Sequence, residues 1–425
     1  MNKCSLMSVS ELITKGTTPS TVGGNFTLEG VNFVKSESIC DSKYLNSNIY
    51  LKINKEIDEK LKRSRLKEED LLFSIAGAYL GKLSIVRQQD LPANTNQAVG
   101  IVRLNKEIVD VNYIYYFFSQ PMINKYINKL SSQSSQPNLN LNLLGRLNFN
   151  LIKIKEQKSI AKVLSDLDSK IELNNKINAE LEAMAKLIYD YWFVQFDFPD
   201  ANGKPYKSSG GKMVYNKELK RDIPDGWSVF QLFSILKSNY STIGKNDSFE
   251  KIKYLDTGSL TKNVIAGTEQ INTNQDKVPS RAKRIIQRND ILYSTVRPNL
   301  CHYGIIKNPL KNMIGSTGFV QLSSKIDWIS NDLIYTFLTS SWVTERLQQI
   351  AALSVSAYPS ISPNDILDLN VVLPKDGKNI KFINSKFNKI YSKISLNQKE
   401  NQKLSELRDW LLPMLMNGQI TVKND

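Results

Sequence analysis

One stretch of this chain is written twice. Asp70-Leu71-Leu72-Phe73-Ser74 returns 220 residues later as Asp290-Ile291-Leu292-Tyr293-Ser294. Gly100-Ile101-Val102-Arg103-Leu104 returns as Gly318-Phe319-Val320-Gln321-Leu322, and Ile114-Tyr115 with Phe117 as Ile334-Tyr335 with Phe337. Pro137 with Leu139, Leu144, Leu147, Asn148 and Leu151 returns as Pro359 with Ile361, Ile366, Leu369, Asn370 and Leu373. Ser169-Lys170-Ile171-Glu172-Leu173-Asn174-Asn175-Lys176 matches Ser392-Lys393-Ile394-Ser395-Leu396-Asn397-Gln398-Lys399 at a separation of 223. The order of matches is the same in both halves. The chain of 425 residues is therefore two copies of one unit, and each copy must fold into the same architecture.

Each unit has a front and a back. The front holds short β-branched and aromatic runs bounded by turn residues, which read as strands. A helix follows in each, Asn112 to Lys129 and Asn331 to Ile350, by its apolar spacing. Glu69 and Asn289 precede the repeated Asp and read as turn residues; Asn tolerates the left-handed conformation. The expected fold class is mixed α/β (α+β).

The back is helical. Residues 156–193 contain neither Pro nor Gly. Ile160, Leu164, Leu167, Ile171, Leu181, Ala185 and Ile188 alternate at four and three. Ile383, Phe387, Ile390, Ile394, Leu404 and Leu411 do the same in the second copy. This heptad pattern predicts a coiled coil. Asn174, Asn178, Asn397 and Asn401 fall on the seam. Buried Asn costs stability but fixes register, which suggests an antiparallel pair with these Asn facing one another; a seam that rotates and leaves them wet is the other reading. A helix of this length spans about 57 Å, so the pair would act as a spacer. The expected organisation is a mixed α/β domain at 1–155, a helix at 156–195, a linker at 196–222, a second α/β domain at 223–377 and a second helix at 378–425.

Composition narrows the function. There are 56 Lys and Arg against 41 Asp and Glu, a net charge of +15, which favours a polyanionic partner. A Lys- and Asn-rich proteome is the plainer explanation. Three scattered Cys, at 4, 40 and 301, suit neither a disulfide framework nor a zinc site. The longest apolar runs are about half the roughly 20 residues a membrane helix needs. No signal-peptide core follows Met1. These features suit a cytoplasmic location.

The machinery of common enzymes is missing. Gly77 to Lys82 is one residue short of a phosphate-binding loop, and Leu83 stands where Ser or Thr would hold magnesium. No Asn/Asp-Pro-Pro-aromatic run is present, nor a Gly-x-Gly-x-x-Gly after a strand. Asp200 near Lys204 makes only a forced nuclease pair. The single His, His302, excludes a two-histidine metal helix and reads as a polar contact residue. We expect no catalytic residue and no metal in this chain: a binding protein with two similar reading heads.

Five motifs carry a resemblance. They are Ile13-Thr14-Lys15-Gly16-Thr17-Thr18-Pro19-Ser20; Glu156-Gln157 with Ile160; Tyr189-Asp190-Tyr191-Trp192-Phe193-Val194-Gln195-Phe196-Asp197-Phe198-Pro199 followed by Gly203-Lys204-Pro205-Tyr206; Ile223-Pro224 with Gly226-Trp227; and Leu404, Leu407-Arg408, Leu411-Leu412-Pro413, Leu415-Met416 and Gly418. On these the chain resembles the specificity subunits of type I restriction-modification systems along its whole length. It departs from the family where Ile152-Lys153-Ile154 replaces the usual Pro before Glu-Gln, and where the second copy keeps Pro374 but lacks Glu-Gln. The resemblance implies that each head is a target-recognition domain reading one half of a split double-stranded DNA site. It implies that the helices set the gap and dock two modification (methyltransferase) subunits. Those subunits would bring S-adenosylmethionine and methylate adenine N6. Restriction subunits using ATP and Mg would cut. This chain would bind no cofactor itself.

Bases are read by Arg, Lys, Asn, Gln, Ser and Thr on exposed loops. In the first head this selects Lys62, Arg63, Arg65, Tyr79, Lys82, Asn94, Asn96, Ser132, Gln133, Ser134 and Gln136. In the second it selects Arg281, Lys283, Arg284, Arg297, Asn299, His302, Tyr303, Ser354, Ser356 and Tyr358. Tyr189, Tyr191, Trp192, Phe193, Trp410 and Leu412 are more apolar than a two-helix seam requires and suggest docking, either of a partner or of a recognition domain of this chain. Two rival readings are a stand-alone bivalent DNA-binding protein and a coiled-coil adaptor without nucleic acid.

Overall fold

The central repeated run has three apolar residues in succession, Leu71-Leu72-Phe73 and Ile291-Leu292-Tyr293, a pattern that suits a strand covered on both faces. The computed structural model describes residues 2–40, 42–131, 138–244, 247–353, 359–375, 377 and 380–422. The chain divides into two units: Met1–Glu172 with Asn401–Asp425, and Leu173–Glu400.

The first unit contains β1 (Asn2–Ser5), β2 (Ser10–Lys15), β3 (Val31–Val34), β4 (Leu51–Ile53), α1 (Lys55–Lys60), β5 (Leu71–Ser74), β6 (Leu83–Ile85), β7 (Ala93–Thr95), β8 (Val99–Leu104), α2 (Val111–Phe118), α3 (Pro121–Ser131), α4 (Leu141–Gly145), β9 (Asn148–Leu151) and the start of α5 (Ile154–Tyr189). An antiparallel sheet runs β2-β8-β5-β6. A second sheet runs β4-β3-β7, with β3 and β7 parallel. In β5, Leu71 and Phe73 pack in the core that holds α2, while Leu72 faces a core with Val34, Val99 and Ile101. The period of two thus sends alternate side chains of one strand into two different cores.

The second unit repeats this plan. It holds β10 (Met213–Asn216), β11 (Arg221–Pro224), β12 (Trp227–Gln231), α6 (Leu232–Ile235), β13 (Leu236–Ser238), β14 (Lys251–Leu255), β15 (Leu260–Thr261), β16 (Val264–Ile265), β17 (Glu269–Asn272), β18 (Ala282–Ile285), β19 (Asp290–Ser294), β20 (Tyr303–Ile306), β21 (Met313–Ser316), β22 (Phe319–Ser324), α7 (Asn331–Leu338), α8 (Ser341–Ala352), α9 (Pro363–Leu367), β23 (Asn370–Pro374) and the start of α10 (Ile380–Met416). Its main sheets run β13-β22-β19-β20 and β17-β14-β21-β18. Ile291 and Tyr293 face one core and Leu292 another. Each unit closes on itself: β1 pairs with β9, and β12 with β23.

Strand pairing corrects one sequence match. Phe73 lies opposite Gly100, but Tyr293 lies opposite Val320. The counterpart of Gly318 is Ala98: the Ile75 N–H donates to Ala98 O and the Thr295 N–H to Gly318 O, both at 2.9 Å. The Gly100–Gly318 alignment is two residues out of register. A slip of two keeps every side chain on the same face, so the pattern alone cannot detect it.

The repeated Asp is buried and hydrogen-bonded through both oxygens in each unit. Glu69 and Asn289 both adopt φ 66°, the left-handed turn that lets the chain enter the strand. Asp70 is 1% exposed and Asp290 fully buried. Asp70 receives Arg103 Nε at 2.8 Å and Nη2 at 2.7 Å, and the Lys67 N–H at 2.7 Å. Asp290 instead receives Tyr240 OH at 2.5 Å, Gln321 Nε2 at 2.7 Å and the Gln287 N–H at 2.6 Å.

Two expectations about helices are revised. The helix read as Asn112 to Lys129 is two helices, because Pro121 opens α3 and cannot continue α2. The helix read as Asn331 to Ile350 breaks at the same place without Pro. There Thr339 Oγ1 donates to Tyr335 O at 2.9 Å and Ser340 Oγ to Phe337 O at 2.7 Å, taking carbonyls that a continuous helix would use. The long helix expected at 156–195 is α-helical over Ile154–Tyr189 and ends in a single π turn, Asp190–Val194. Phe196 follows at φ 64° and reverses the chain. The segment read as a linker is ordered by its aromatics: Phe198 stacks on Tyr206 at 4.6 Å and on Trp227 at 4.8 Å.

In the second unit α5 and α10 run antiparallel. Asn397 Nδ2 donates to Asn178 Oδ1 at 2.8 Å, and Asn174 Nδ2 to Glu400 Oε2 at 2.9 Å. Asn174 and Asn397 are 2% and 1% exposed. In the first unit Arg408 Nη1 donates to Asp168 Oδ1 at 2.8 Å.

The two aspartates should respond differently to loss of charge. Asp70→Asn strips Arg103 of its counter-ion and should cost about 3 kcal/mol. Burial raises the pKa of both carboxyls above the usual value; the Arg103 guanidinium opposes the rise at Asp70, whereas neutral donors bond to Asp290. Its contribution to stability is therefore full below the unfolded pKa and is lost as pH rises through the folded value. Asn cannot ionise, so Asp290→Asn should cost under about 1 kcal/mol at neutral pH. Urea unfolding midpoints of the two variants check this; equal losses would contradict it.

Candidate nucleic-acid interface

In each unit the loop that follows the central strand is fixed in the same way. Ser74 N–H donates to Lys82 O at 2.8 Å, and Ser294 N–H to His302 O at 2.9 Å. Ala76 bridges Asn138, and Val296 bridges Ser360. A single 3-10 turn forms the tip, Gly77–Tyr79 in one unit and Pro298–Leu300 in the other. The helix behind clamps it from the same position: Asn128 Nδ2 donates to Leu80 O at 3.3 Å, and Gln348 Oε1 accepts the Asn299 N–H at 3.1 Å. A loop held on both flanks and from behind presents its outward side chains with little entropy left to lose.

This surface gathers part of each set of expected contact residues. Tyr79 and Lys82 lie on the first loop, with the Lys82 ammonium 5.4 Å from the Tyr79 ring centroid. Arg297 and Asn299 are exposed on the second. Lys125 and Lys129 on α3, and Arg346 on α8, are exposed beside the loops and were not anticipated. Their signal was present as basic residues on the outer positions of the repeated helix. Ser132, Gln133, Ser134, Gln136, Ser354, Ser356 and Tyr358 lie outside the described residues.

Other expected contacts sit elsewhere. Lys62 and Arg63 are exposed on the turn Lys62–Ser64. Arg65 is held by carboxylates: Nε reaches Asp58 Oδ2 at 2.7 Å and Nη2 bonds Glu59. Asn94 is fully buried. Its Nδ2 donates to Asp58 Oδ1 at 3.0 Å and Leu61 O at 3.1 Å, and its Oδ1 accepts from Ser64 Oγ and the Thr95 N–H. Every polar site of that amide is used, so Asn94 is a structural residue rather than a reader. Asn96 shapes a turn, its Oδ1 accepting the Ala98 N–H at 3.1 Å.

In the second unit Arg281 and Lys283 are exposed, and Arg284 Nη1 donates to Thr242 Oγ1 at 3.1 Å. Burial lowers the Arg284 pKa. His302 is turned inward, its Nδ1 at 2.9 Å from both Thr261 Oγ1 and Leu260 O. Tyr303 is a core residue, stacked on Tyr293 at 5.4 Å and edge-on to Tyr335 at 6.2 Å. It occupies the strand position of Leu83, and a tyrosine hydroxyl in the sequence gave a false sign of exposure.

The residues expected to dock a partner also divide. Tyr189 and Phe193 are buried and stack at 5.0 Å; Leu412 is buried in the first unit's core. Trp192 stacks on Phe382 at 6.2 Å. Tyr191 and Trp410 are exposed. They belong to apolar stripes missed in the sequence. Met184, Leu187, Tyr191 and Val194 line the outer side of α5 and its π turn, and Leu407 and Trp410 an outer side of α10. The spacing of three and four among these residues is a second heptad seam, masked by the stronger one within the pair.

Among the described residues no group of three His, Cys, Asp or Glu could hold a metal ion, and no helix is long and apolar enough to cross a membrane.

The fold defines a duplicated α/β protein, with a matching pinned loop in each unit and two long helices. Comparison with known proteins narrows the class. Residues 1–183 match the family model for the type I restriction modification DNA specificity domain. The type I restriction enzyme MjaIX specificity subunit of Methanocaldococcus jannaschii is 26% identical over 96% of this chain and 91% of its own length. The MjaVIII specificity subunit of the same organism is 22% identical over 84% and 80%. The crystal structure of a type I restriction-modification S subunit from M. genitalium covers 100% of this chain and 96% of its own, with a TM-score of 0.54 at 16% identity, a likeness of fold. The chain is thus similar along almost its whole length to the DNA specificity subunits of type I restriction-modification systems, and residues 1–183 match their domain model.

Asn94→Ala should destabilise the first head by about 1–3 kcal/mol, because it leaves buried donors and acceptors without partners. Lys62→Ala should leave stability unchanged within about 0.5 kcal/mol. Thermal unfolding of both variants tests the assignment; a stable Asn94→Ala protein would return Asn94 to the candidate readers.

Proposed function

We propose that each head reads one half of a split double-stranded DNA site and that this chain does no chemistry itself. The observation that carries the reading is the duplicated loop, pinned from equivalent positions in both units and accompanied by exposed cations. The net charge of +15 supports it, since phosphate neutralisation supplies much of DNA affinity. Tyr79, Lys82, Lys125 and Lys129 serve the first head. Arg297, Asn299 and Arg346 serve the second, with Arg281, Lys283 and Arg284 as phosphate contacts.

The paired helices set the length of unread DNA between the halves, and the amide pair Asn178–Asn397 holds their register. Modification subunits dock on the outer stripes of α5 and α10. They supply S-adenosylmethionine and the catalytic residues for adenine N6 methylation. Restriction subunits supply cleavage with ATP and Mg. The family likeness supports this division of labour, and the complex works in the cytoplasm, where the DNA is.

The test is a single-molecule methylation map of DNA from cells with and without this gene, expressed beside its modification partner. A gene-dependent N6-methyladenine motif in two short halves around a fixed gap is expected. No such motif, with the partner present, would favour a stand-alone bivalent DNA-binding protein. Docking has its own test. Leu187→Asp and Trp410→Asp change exposed positions, so they should leave the melting transition unchanged and abolish co-purification with the modification subunit. Full retention of the partner by both variants would move the docking site elsewhere.

A further inference from the structure

The two reading loops share a backbone but not a sequence, and the difference is costly in only one of them. Both loops place residues in the left-handed region at the start and end of the tip. In the first head these are Gly77 at φ 80° and Gly81 at φ 83°. In the second they are Arg297 at φ 48° and Cys301 at φ 56°. The positions correspond at a separation of 220. Glycine takes this conformation without penalty, whereas a side chain with a Cβ is strained there.

The fold does not need an arginine at this place. The first head builds the same turn on glycine, and no atom lies within 4 Å of where a Cβ on Gly77 would stand. In the second head the flanks hold the strained residue in position. The Arg297 N–H donates to Pro359 O at 2.9 Å, Ile361 N–H donates to Thr295 O at 2.8 Å, and Leu300 N–H donates back to Arg297 O at 2.9 Å. Pro298 fixes the next φ. Cys301 has an inward use, its Sγ donating to Asn299 O at 3.5 Å. Arg297 is exposed at the tip. Strain held by its surroundings at an exposed, chemically capable residue marks function.

We propose that Arg297 is a specificity-determining residue that reads the major-groove edge of a guanine in the half-site of the second head. A guanidinium on a rigid loop suits this role, because its planar fork matches guanine O6 and N7 together. The first head, with Gly77 at the same place, reads its half without this contact. The proposal rests on the heads being DNA readers.

The test uses the full chain assembled with its modification subunits. Arg297→Asn keeps a residue that tolerates the left-handed turn and removes the guanidinium; Arg297→Gly repeats the first head's solution. Neither should melt below the parent, because both residues accept the left-handed turn more easily than arginine does. Both should lose roughly 5- to 150-fold in affinity for the mapped site. In the methylation map one guanine in one half should become degenerate, with the other half unchanged. Arg297→Lys, which keeps the charge without the fork, should not restore that guanine. Three results would overturn the proposal: an unchanged motif and affinity in Arg297→Asn, a loss uniform over all sequences with a shallower salt dependence, or full rescue by lysine. A parent complex that gives no motif would instead bring down the reading of the heads themselves, and this inference with them.

Discussion

Everything in each head hangs on one buried carboxylate. It sits at the first residue of the central strand, just after a left-handed turn, and ties that strand to its neighbours. A carboxylate away from water must be fully hydrogen-bonded. The partners of Asp70 and Asp290 therefore fix where β8, or β22 and the Tyr240 segment, must lie. The two copies answer the same demand differently, one with a guanidinium and one with neutral donors. The requirement is the bonding of the oxygens, and the chemistry that meets it is free to vary.

From that strand the rest follows in order. Its side chains divide between two cores, so both faces of the sheet must be covered. Helices cover one face and the second sheet the other. The loop at its end is then confined, because strand pairing holds one side and the helix amide at 128 or 348 the other. The pinned loop surface is thus a by-product of core packing, placed where the sheet runs out.

The sequence disclosed whatever depends on local chemistry or long periodicity. The duplication, the long helices and the left-handed residues at 69 and 289 were all legible. What escaped depends on partners that are distant in the chain. The two-residue slip between Gly100 and Gly318 was invisible because strands repeat every two residues. Asn94 and Tyr303 looked like contact residues because their polar atoms say nothing about which neighbours use them. The outer stripe of Met184, Leu187 and Tyr191 hid behind the inner seam on the same helix. Among the site residues, Arg297 was chosen for its charge. Only the comparison of two loops with one backbone shows that it is kept against its own conformational preference.

The closing strand pairs have a consequence for how such a protein changes over generations. Each head begins and ends on adjacent strands, β1 beside β9 and β12 beside β23. Insertions or deletions between them are absorbed inside the loop they enclose. The separation of the copies already grows from 220 at α3 and α8 to 222 at Leu139 and Ile361, yet both heads close on equivalent pairs. Variation in the reading surface need not propagate into the helices. Such a head is an evolvable cassette, able to acquire a new preference while the frame that carries it stays under the older selection for assembly.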